Sequence, residues 1–317
     1  MNNELEKKID EIDQKIYGKC HNIKYNSISH YTSPFGLDGI LANKTLRFTH
    51  VDYLNDSSEG KYIYEVLEDC LREKEYDEEF VKIVNEICLG KVDLYEEYVR
   101  ILNGKKSRFY ESITSKYICC FSLHDDSVGM WNYYTKDEKK IGYNLTIDVR
   151  KTKEKINKNK SKEESIQFGL YSFPICYNKS EQKERINYLL EKYQKVWLDN
   201  KEYGEDIVLS LAILLDFLKL SFKHYSYQYE QEYRFVLCFQ KKLEEQLIMN
   251  DKIKFELRHG YYVPYIDMNC IDEESLLKIR ISPFGKDEIV KWSLLQKLKT
   301  VNLDRVTIEN SDAPCRY

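Results

Sequence analysis

The stretch from Ile28 to His50, ISHYTSPFGLDGILANKTLRFTH, reads as one strand–helix–strand unit. Ile28–Thr32 is the first strand. Ser33 and Pro34 then start a helix: the serine hydroxyl can cap the free amides of the first turn, and the proline's fixed φ and missing N–H cost nothing there. Leu37, Ile40 and Leu41 give this helix its apolar side, Asn43–Lys44 turns the chain, and Leu46–His50 forms a second short strand.

Further strands are spread over the rest of the chain, at Tyr117–Leu123, Ile141–Val149, Gln167–Tyr177, Glu232–Phe239, Lys252–Leu257, Tyr261–Ile266, Leu277–Ser282 and near Val306–Ile308. Helical blocks lie between them. Three charged amphipathic segments run over Lys61–Lys74, Asp77–Cys88 and Val92–Leu102, two long helices over about Ser180–Asn200 and Glu205–Lys223, and another over about Lys286–Leu298. Upstream, Leu5, Ile9, Ile12 and Ile16 are spaced to form one apolar stripe on a helix that Gly18 can end. Arg150–Ser165 is rich in Lys, Glu and Asn, and its lack of apolar anchors predicts a solvated loop or frayed helix. No linker rich in Pro, Gly or Ser divides the chain, and no repeat is visible. The expected organisation is an N-terminal helix over 1–26 followed by a single α+β domain over 27–317, with helical insertions at about 60–115 and 180–225.

The 317 residues carry 49 Lys+Arg against 53 Asp+Glu, a formal charge of −4, and 42% of them are hydrophobic. These values exclude a disordered or fibrous chain. Near-neutral charge also excludes a protein that coats nucleic acid electrostatically, though not one that touches it at a local patch. The most apolar run, Ile207–Phe222, is broken by Asp216 and Lys219 and reads as a buried helix. The opening residues MNNELEKKIDEIDQKIYGKC lack the apolar core of a signal peptide. Nine cysteines without CxxC spacing fit reduced thiols. A cytoplasmic protein with no membrane association is therefore expected. Tyrosine is abundant, 27 against 13 Phe, and a minority cluster beside the polar motifs: Tyr31, Tyr133, Tyr134, Tyr229 and Tyr233.

No GxGxxG, Walker, HExxH or GxSxG pattern is present, so the dinucleotide-fold, P-loop, zincin and serine-hydrolase readings lack their usual support. What remains is a set of polar clusters at strand ends. Ser29-His30-Tyr31-Thr32 puts an imidazole in the first strand. His124–Tyr134 leaves the strand YICCFSL and brings Met130, Trp131, Tyr133 and Tyr134 together; in a helix, Met130 and Tyr134 share a face. Tyr229-Glu230-Gln231-Glu232-Tyr233-Arg234 opens the strand EYRFVLCF, and extended alternation would put Glu230, Glu232 and Arg234 on one side. Two such carboxylates repel unless a cation, hydroxyl or metal uses them, and Arg234 can neutralise one. Asn55-Asp56-Ser57-Ser58-Glu59 is a loop and helix cap. Taken singly, each cluster has a structural explanation: a satisfied histidine, core packing of aromatic residues, a local ion pair.

In combination they resemble a bacterial family catalogued as domain of unknown function 2971. The matching pieces are HYTS with GILANKTLRF, LNDSSEG, CCFSLHDDSVGMWNYY with IGYNLTI, and YEQEYRFVL, in order across about residues 28–240. The same layout is distantly similar to the ADP-ribosyltransferase fold, which implies a central mixed or antiparallel split sheet with helical insertions. Thr45 stands where many of those proteins have glycine, and the helices at 180–223 lengthen the spacing between the second and third motifs. The resemblance implies NAD as co-substrate and an oxocarbenium-like transition state, which needs a carboxylate beside the ribose. It casts Glu232 as that carboxylate, Glu230 as the group orienting the acceptor, and His30 as holding a ribose hydroxyl, flanked by Tyr31 and Thr32. Tyr134 or Trp131 would stack on nicotinamide. Asn55 and Asp56 would position the acceptor, a protein or nucleic acid. Arg234 would either partner Glu232 or contact the pyrophosphate. A bacterial toxin or antiviral defence effector is the implied setting, and no metal site is expected.

Two other readings use the same residues. A metal-dependent nuclease or phosphohydrolase would draw on Asp56, Glu59, Glu230 and Glu232, since Mg²⁺ takes oxygen ligands. A non-catalytic nucleotide-binding or sensing module would keep the aromatic pocket and use the glutamates structurally. The basic stretch Lys278–Lys299 could approach phosphates, but a solvated helix face accounts for it more simply.

Overall fold

The computed structural model describes residues 3–21, 25–54, 61–89, 114–135, 141–162, 168–240, 243–285 and 287–314. They fall into two compact units, one assembled from 1–23, 54–115 and 173–227, the other from 24–53, 116–172 and 228–317. The segments expected as helical insertions thus gather with the N-terminal helix into a unit of their own.

In the helical unit, Leu5, Ile9, Ile12 and Ile16 are all buried along α1 (Asn3–His21), so the stripe read from their spacing is the packing side. The helix continues past Gly18 to His21. The Tyr193 hydroxyl, buried on α7 (Lys179–Asp199), donates to Asp13 of α1 at 2.8 Å. The unit also holds α3 (Tyr62–Glu73), α4 (Glu78–Val84) and the almost wholly apolar α8 (Gly204–Leu218). Val92–Leu102 lies outside the described residues.

The other unit is built on β1 (Ser27–Thr32), α2 (Pro34–Asn43) and β2 (Thr45–His50), the strand–helix–strand unit read from the sequence. Ser33 Oγ accepts from Gly36 N at 3.2 Å as the cap. Lys44, at φ 56°, ends α2 in the left-handed region, so the turn falls one residue before Thr45, which already pairs with Asn269. The remaining strands are β3 (Thr114–Ser122), β4 (Tyr143–Asp148), β5 (Gly169–Pro174), β6 (Glu232–Gln240), β7 (Lys254–Arg258), β8 (Tyr261–Asn269), β9 (Leu276–Ile281) and β10 (Thr307–Asn310). They join in one mixed sheet in the order β10-β9-β4-β1-β3-β2-β8-β7, with β6 pairing to β3 and β5. β10 runs parallel to β9, and β1 runs antiparallel to both β3 and β4. The shorter helices are α5 (Val128–Tyr134), α6 (Val149–Lys162), α9 (Glu244–Met249) and α10 (Glu288–Thr300).

Residues directly opposite across a sheet share a face. The row His30–Leu145–Ile279–Ile308 crosses β1, β4, β9 and β10, and it belongs to the side formed by Ile28, Phe121, Phe235 and Leu37 in the apolar core. The next row, Tyr31–Asn144–Arg280–Glu309, faces the other way and is polar. An antiparallel sheet with one such side packed and the other polar shows this alternation.

Two expectations are corrected here. Arg150–Ser165 is not an unanchored loop: α6 is a regular helix over 149–162, with Thr152 and Ile156 fully buried and Asp148 capping the amide of Lys151 at 2.8 Å. One isoleucine per few turns was too sparse a signal to register as an apolar stripe. The basic stretch Lys278–Lys299 is not one helix face either, because Lys278 and Arg280 belong to β9.

Candidate functional site

β1 and β3 are paired at one position, Ser29 opposite Ser122, and beyond it the strands part. His30 fills the parting. Its Nδ1 lies 2.9 Å from the Cys120 carbonyl, and its ring meets Phe121 edge-on at 5.5 Å. A carbonyl only accepts, so Nδ1 carries the hydrogen and Nε2 keeps its lone pair. Burial lowers the pKa of His30, outweighing the carbonyl bond that raises it, and the ring is held neutral. His30 thus faces the apolar core, and the ribose contact given to it does not fit this position.

Tyr31 points to the opposite side. It is 2% exposed, its hydroxyl donates to the His124 carbonyl at 3.1 Å and accepts from the Ser127 amide at 2.8 Å. Burial pushes its phenol up to about 12. Its ring packs edge-on to Trp131 at 4.8 Å, in a cluster with Met130 and Ala313. Trp131 has no exposed surface and donates its Nε1 hydrogen to Asp126 at 2.7 Å. Neither ring offers a free face, so the stacking role given to Trp131 and the ligand contact given to Tyr31 do not fit these positions. Thr32 is also buried, its hydroxyl set against Gly36, where an added Cβ would come within 2.1 Å.

The third motif differs from the extended strand expected. Glu230 ends a short 3₁₀ segment, Tyr225–Glu230, and Gln231 takes φ 42° before β6 begins, so Glu230 is not in alternation with Glu232 and Arg234. A non-glycine residue there costs about 1–2 kcal/mol and persists only where its surroundings impose it. Here Leu123 N donates to the Gln231 carbonyl at 2.8 Å and Ser122 Oγ to the Glu230 carbonyl at 2.7 Å. Glu232 and Arg234 do share a side. Arg234 Nε and one terminal nitrogen bind the two carboxylate oxygens of Glu232 at 2.7 and 3.0 Å. Arg234 has no exposed surface and Glu232 is 5% exposed. Of the two roles set out for Arg234, partner of Glu232 is the one occupied.

Tyr134, half-buried on α5, completes the group. Its ring lies 6.1 Å from Tyr31 and 5.2 Å from Tyr133. Burial raises its pKa, helped by the nearby Cys120, Glu232 and Glu230. Tyr134 is therefore the shared neighbour of Cys120, Glu232 and Glu230, and the Cys120 carbonyl is the one His30 binds. Tyr133 and Tyr229 are exposed rings beside them, and Tyr229 packs against Gly129 of α5. Asn55, Asp56 and Glu59 lie outside the described residues.

Sequence reading missed a charged hub on the same polar side. Asp126 accepts from Trp131, from Ser311 Oγ at 2.5 Å, from the Asp312 amide at 2.8 Å and from Arg280 at 2.9 Å. Burial opposes its ionisation, but these bonds outweigh that and hold its carboxyl below the usual range. Arg280 also reaches Asp125 and Glu309, and Lys278 pairs with both of those acids. The adjacent acids of HDDS after a strand, and Lys278 and Arg280 alternating on another, were the available signal. Among the described residues, no group of three or more His, Cys, Asp and Glu could hold a metal ion, and no helix is long and apolar enough to cross a membrane.

Residues 130–235 match the family described as Protein of unknown function (DUF2971). That span takes in α5 from Met130 onward, the EQE motif and the start of β6, so the third motif and the aromatic end of the second fall within the match. No curated protein and no solved structure matches the chain.

Proposed function

We propose that this DUF2971 chain is an NAD-consuming enzyme of ADP-ribosyltransferase type, built on a split sheet of that kind, with Glu232 as the carboxylate facing the reacting ribose. The observation that carries the reading is that Glu230 and Glu232 lie close enough to Tyr134 to act on its phenol, with Glu232 fixed by Arg234 beside them. Cleaving a nicotinamide–ribose bond develops positive charge on the sugar, and a fixed carboxylate stabilises it without reorganising. Arg234 supplies the fixing. Its two-pronged bond fixes the Glu232 carboxylate in place. Arg234 is a positioning residue, and Tyr134, with the exposed Tyr133 beside it, is the accessible stacking surface. Trp131 and Tyr31 form its floor, and His30 braces the parted strands. The acceptor, protein or nucleic acid, would meet Glu230 at the 3₁₀ turn.

A second reading, a non-catalytic nucleotide-binding module, draws support from the same ion pair, because a carboxylate bonded on both oxygens inside the protein is also what a purely structural glutamate looks like. Nicotinamide release from NAD by the full chain, with and without EDTA, and by a Glu232→Gln variant checked for folding by thermal melting, separates the readings. The expected result is release that EDTA leaves unchanged and that falls by roughly 10²–10³-fold in the variant. NAD binding without release would support the binding module. EDTA-sensitive nucleic-acid cleavage without release would point to the metal-dependent alternative.

A further inference from the structure

α10 carries more apolar surface than its packing uses. Leu294 and Leu298 are buried, as the inward side of a surface helix should be. Yet Ile289, Trp292 and Leu295 are 66%, 62% and 38% exposed. Their three-residue spacing lines them along one outward stripe. Elsewhere on this unit Phe35, near the start of α2, is 91% exposed. Single exposed apolar residues are ordinary. A row of three on one helix side that includes Trp marks an interaction surface.

The charges flanking the stripe indicate what covers it. Glu288 lies in the first turn and Lys299 in the last, both exposed and neither in an ion pair among the described residues. They are 11 residues apart, about 16 Å along the helix. A helix side with Glu288 at its N-terminal end, Lys299 at its C-terminal end and Trp292 and Leu295 between is complementary to itself when reversed. We propose that this face is an isologous interface, on which α10 of a second copy of the chain docks antiparallel. Trp292 meets the partner stripe near the two-fold axis, and Glu288 of each copy faces Lys299 of the other. The opposed helix dipoles favour the same direction. Three exposed apolar side chains per copy make a patch below the standard interface of about 800 Å² per partner, so association is weak and concentration-dependent.

Sedimentation velocity of the full chain over about 1–200 µM tests this. The expected result is a reversible monomer–dimer equilibrium, weakened at least tenfold by Trp292→Glu and by Glu288→Lys. Combining Glu288→Lys with Lys299→Glu should restore it, because the swap rebuilds both cross-copy pairs. All these positions are exposed, and unchanged circular dichroism verifies folding. A monomer throughout the range overturns the proposal, as does a dimer that Trp292→Glu leaves intact. A chain that stays monomeric but co-sediments with anionic phospholipid vesicles overturns it in favour of a membrane surface.

Discussion

His30 holds the β1–β3 parting by donating from Nδ1 to a carbonyl in a site whose burial disfavours the charged ring. The pH dependence follows in sign. Its pKa is lowered on folding, so the unfolded chain binds the extra proton below the ordinary histidine value of about 6.5, and stability falls as pH drops from there toward the folded value. Urea unfolding at pH 7, 6 and 5 should show this loss, up to about 1.4 kcal/mol per pH unit. His30→Gln retains an N–H donor but does not titrate, so its profile should be flatter than that of the parent. Parallel profiles would show that His30 titrates alike in both states. Glu232 and Arg234 obey a related rule. Removing either charge alone strands the other, typically at a cost of about 3–5 kcal/mol; Glu232→Gln keeps the shape but not the charge, which is why its activity is read beside a thermal melt.

The turn from α2 into β2 shows how little separates a tolerated residue from a required one. Lys44 occupies the left-handed position at φ 56°, its N–H bonded to the Ile40 carbonyl at 2.8 Å, and Thr45 is already a strand residue opposite Asn269. Lys44→Gly should therefore raise stability by about 0.5–1 kcal/mol, since glycine adopts this conformation without the Cβ penalty. Thr45→Gly, which restores the glycine of the resembling proteins, should instead lower it by a similar amount by weakening a strand. Thermal melting of the two variants checks the opposite signs. The 3₁₀ turn before β6 is strained in the same way at Gln231, where neighbouring strand-end bonds hold it.

Within each of the two units the thiols are shielded. Six of the seven cysteines whose side chains are described are buried, Cys120 is half-buried, and none forms a disulfide. Burial pushes Cys70 up to about 11 and Cys88, Cys176 and Cys270 up to about 12, well away from the thiolate that reacts. Adding reductant should leave the melting temperature unchanged. Among these seven, an aromatic disulfide reagent should modify Cys120 first and the others only as the chain unfolds, which mass spectrometry of the modified peptides resolves. Bound nucleotide should slow the Cys120 reaction, since Cys120 is a neighbour of Tyr134.

Local spacing was enough to read the elements: the α1 stripe, the Ser33–Pro34 helix start, the strands on either side of α2 and the aromatic helix after HDDS. Caps and apolar periodicity act within a few residues, so they are written in the chain itself. What the chain did not disclose is which side of β1 each residue faces and what meets it there. His30 turns toward the core and Tyr31 toward the polar side because of pairing with Leu145 and Asn144, more than a hundred residues away. Asp126 became a hub through Arg280 and Ser311, 154 and 185 residues distant. Register in a sheet is set by all its strands together, and a shift of one residue reverses every side chain, so those partners exist only once the sheet is assembled.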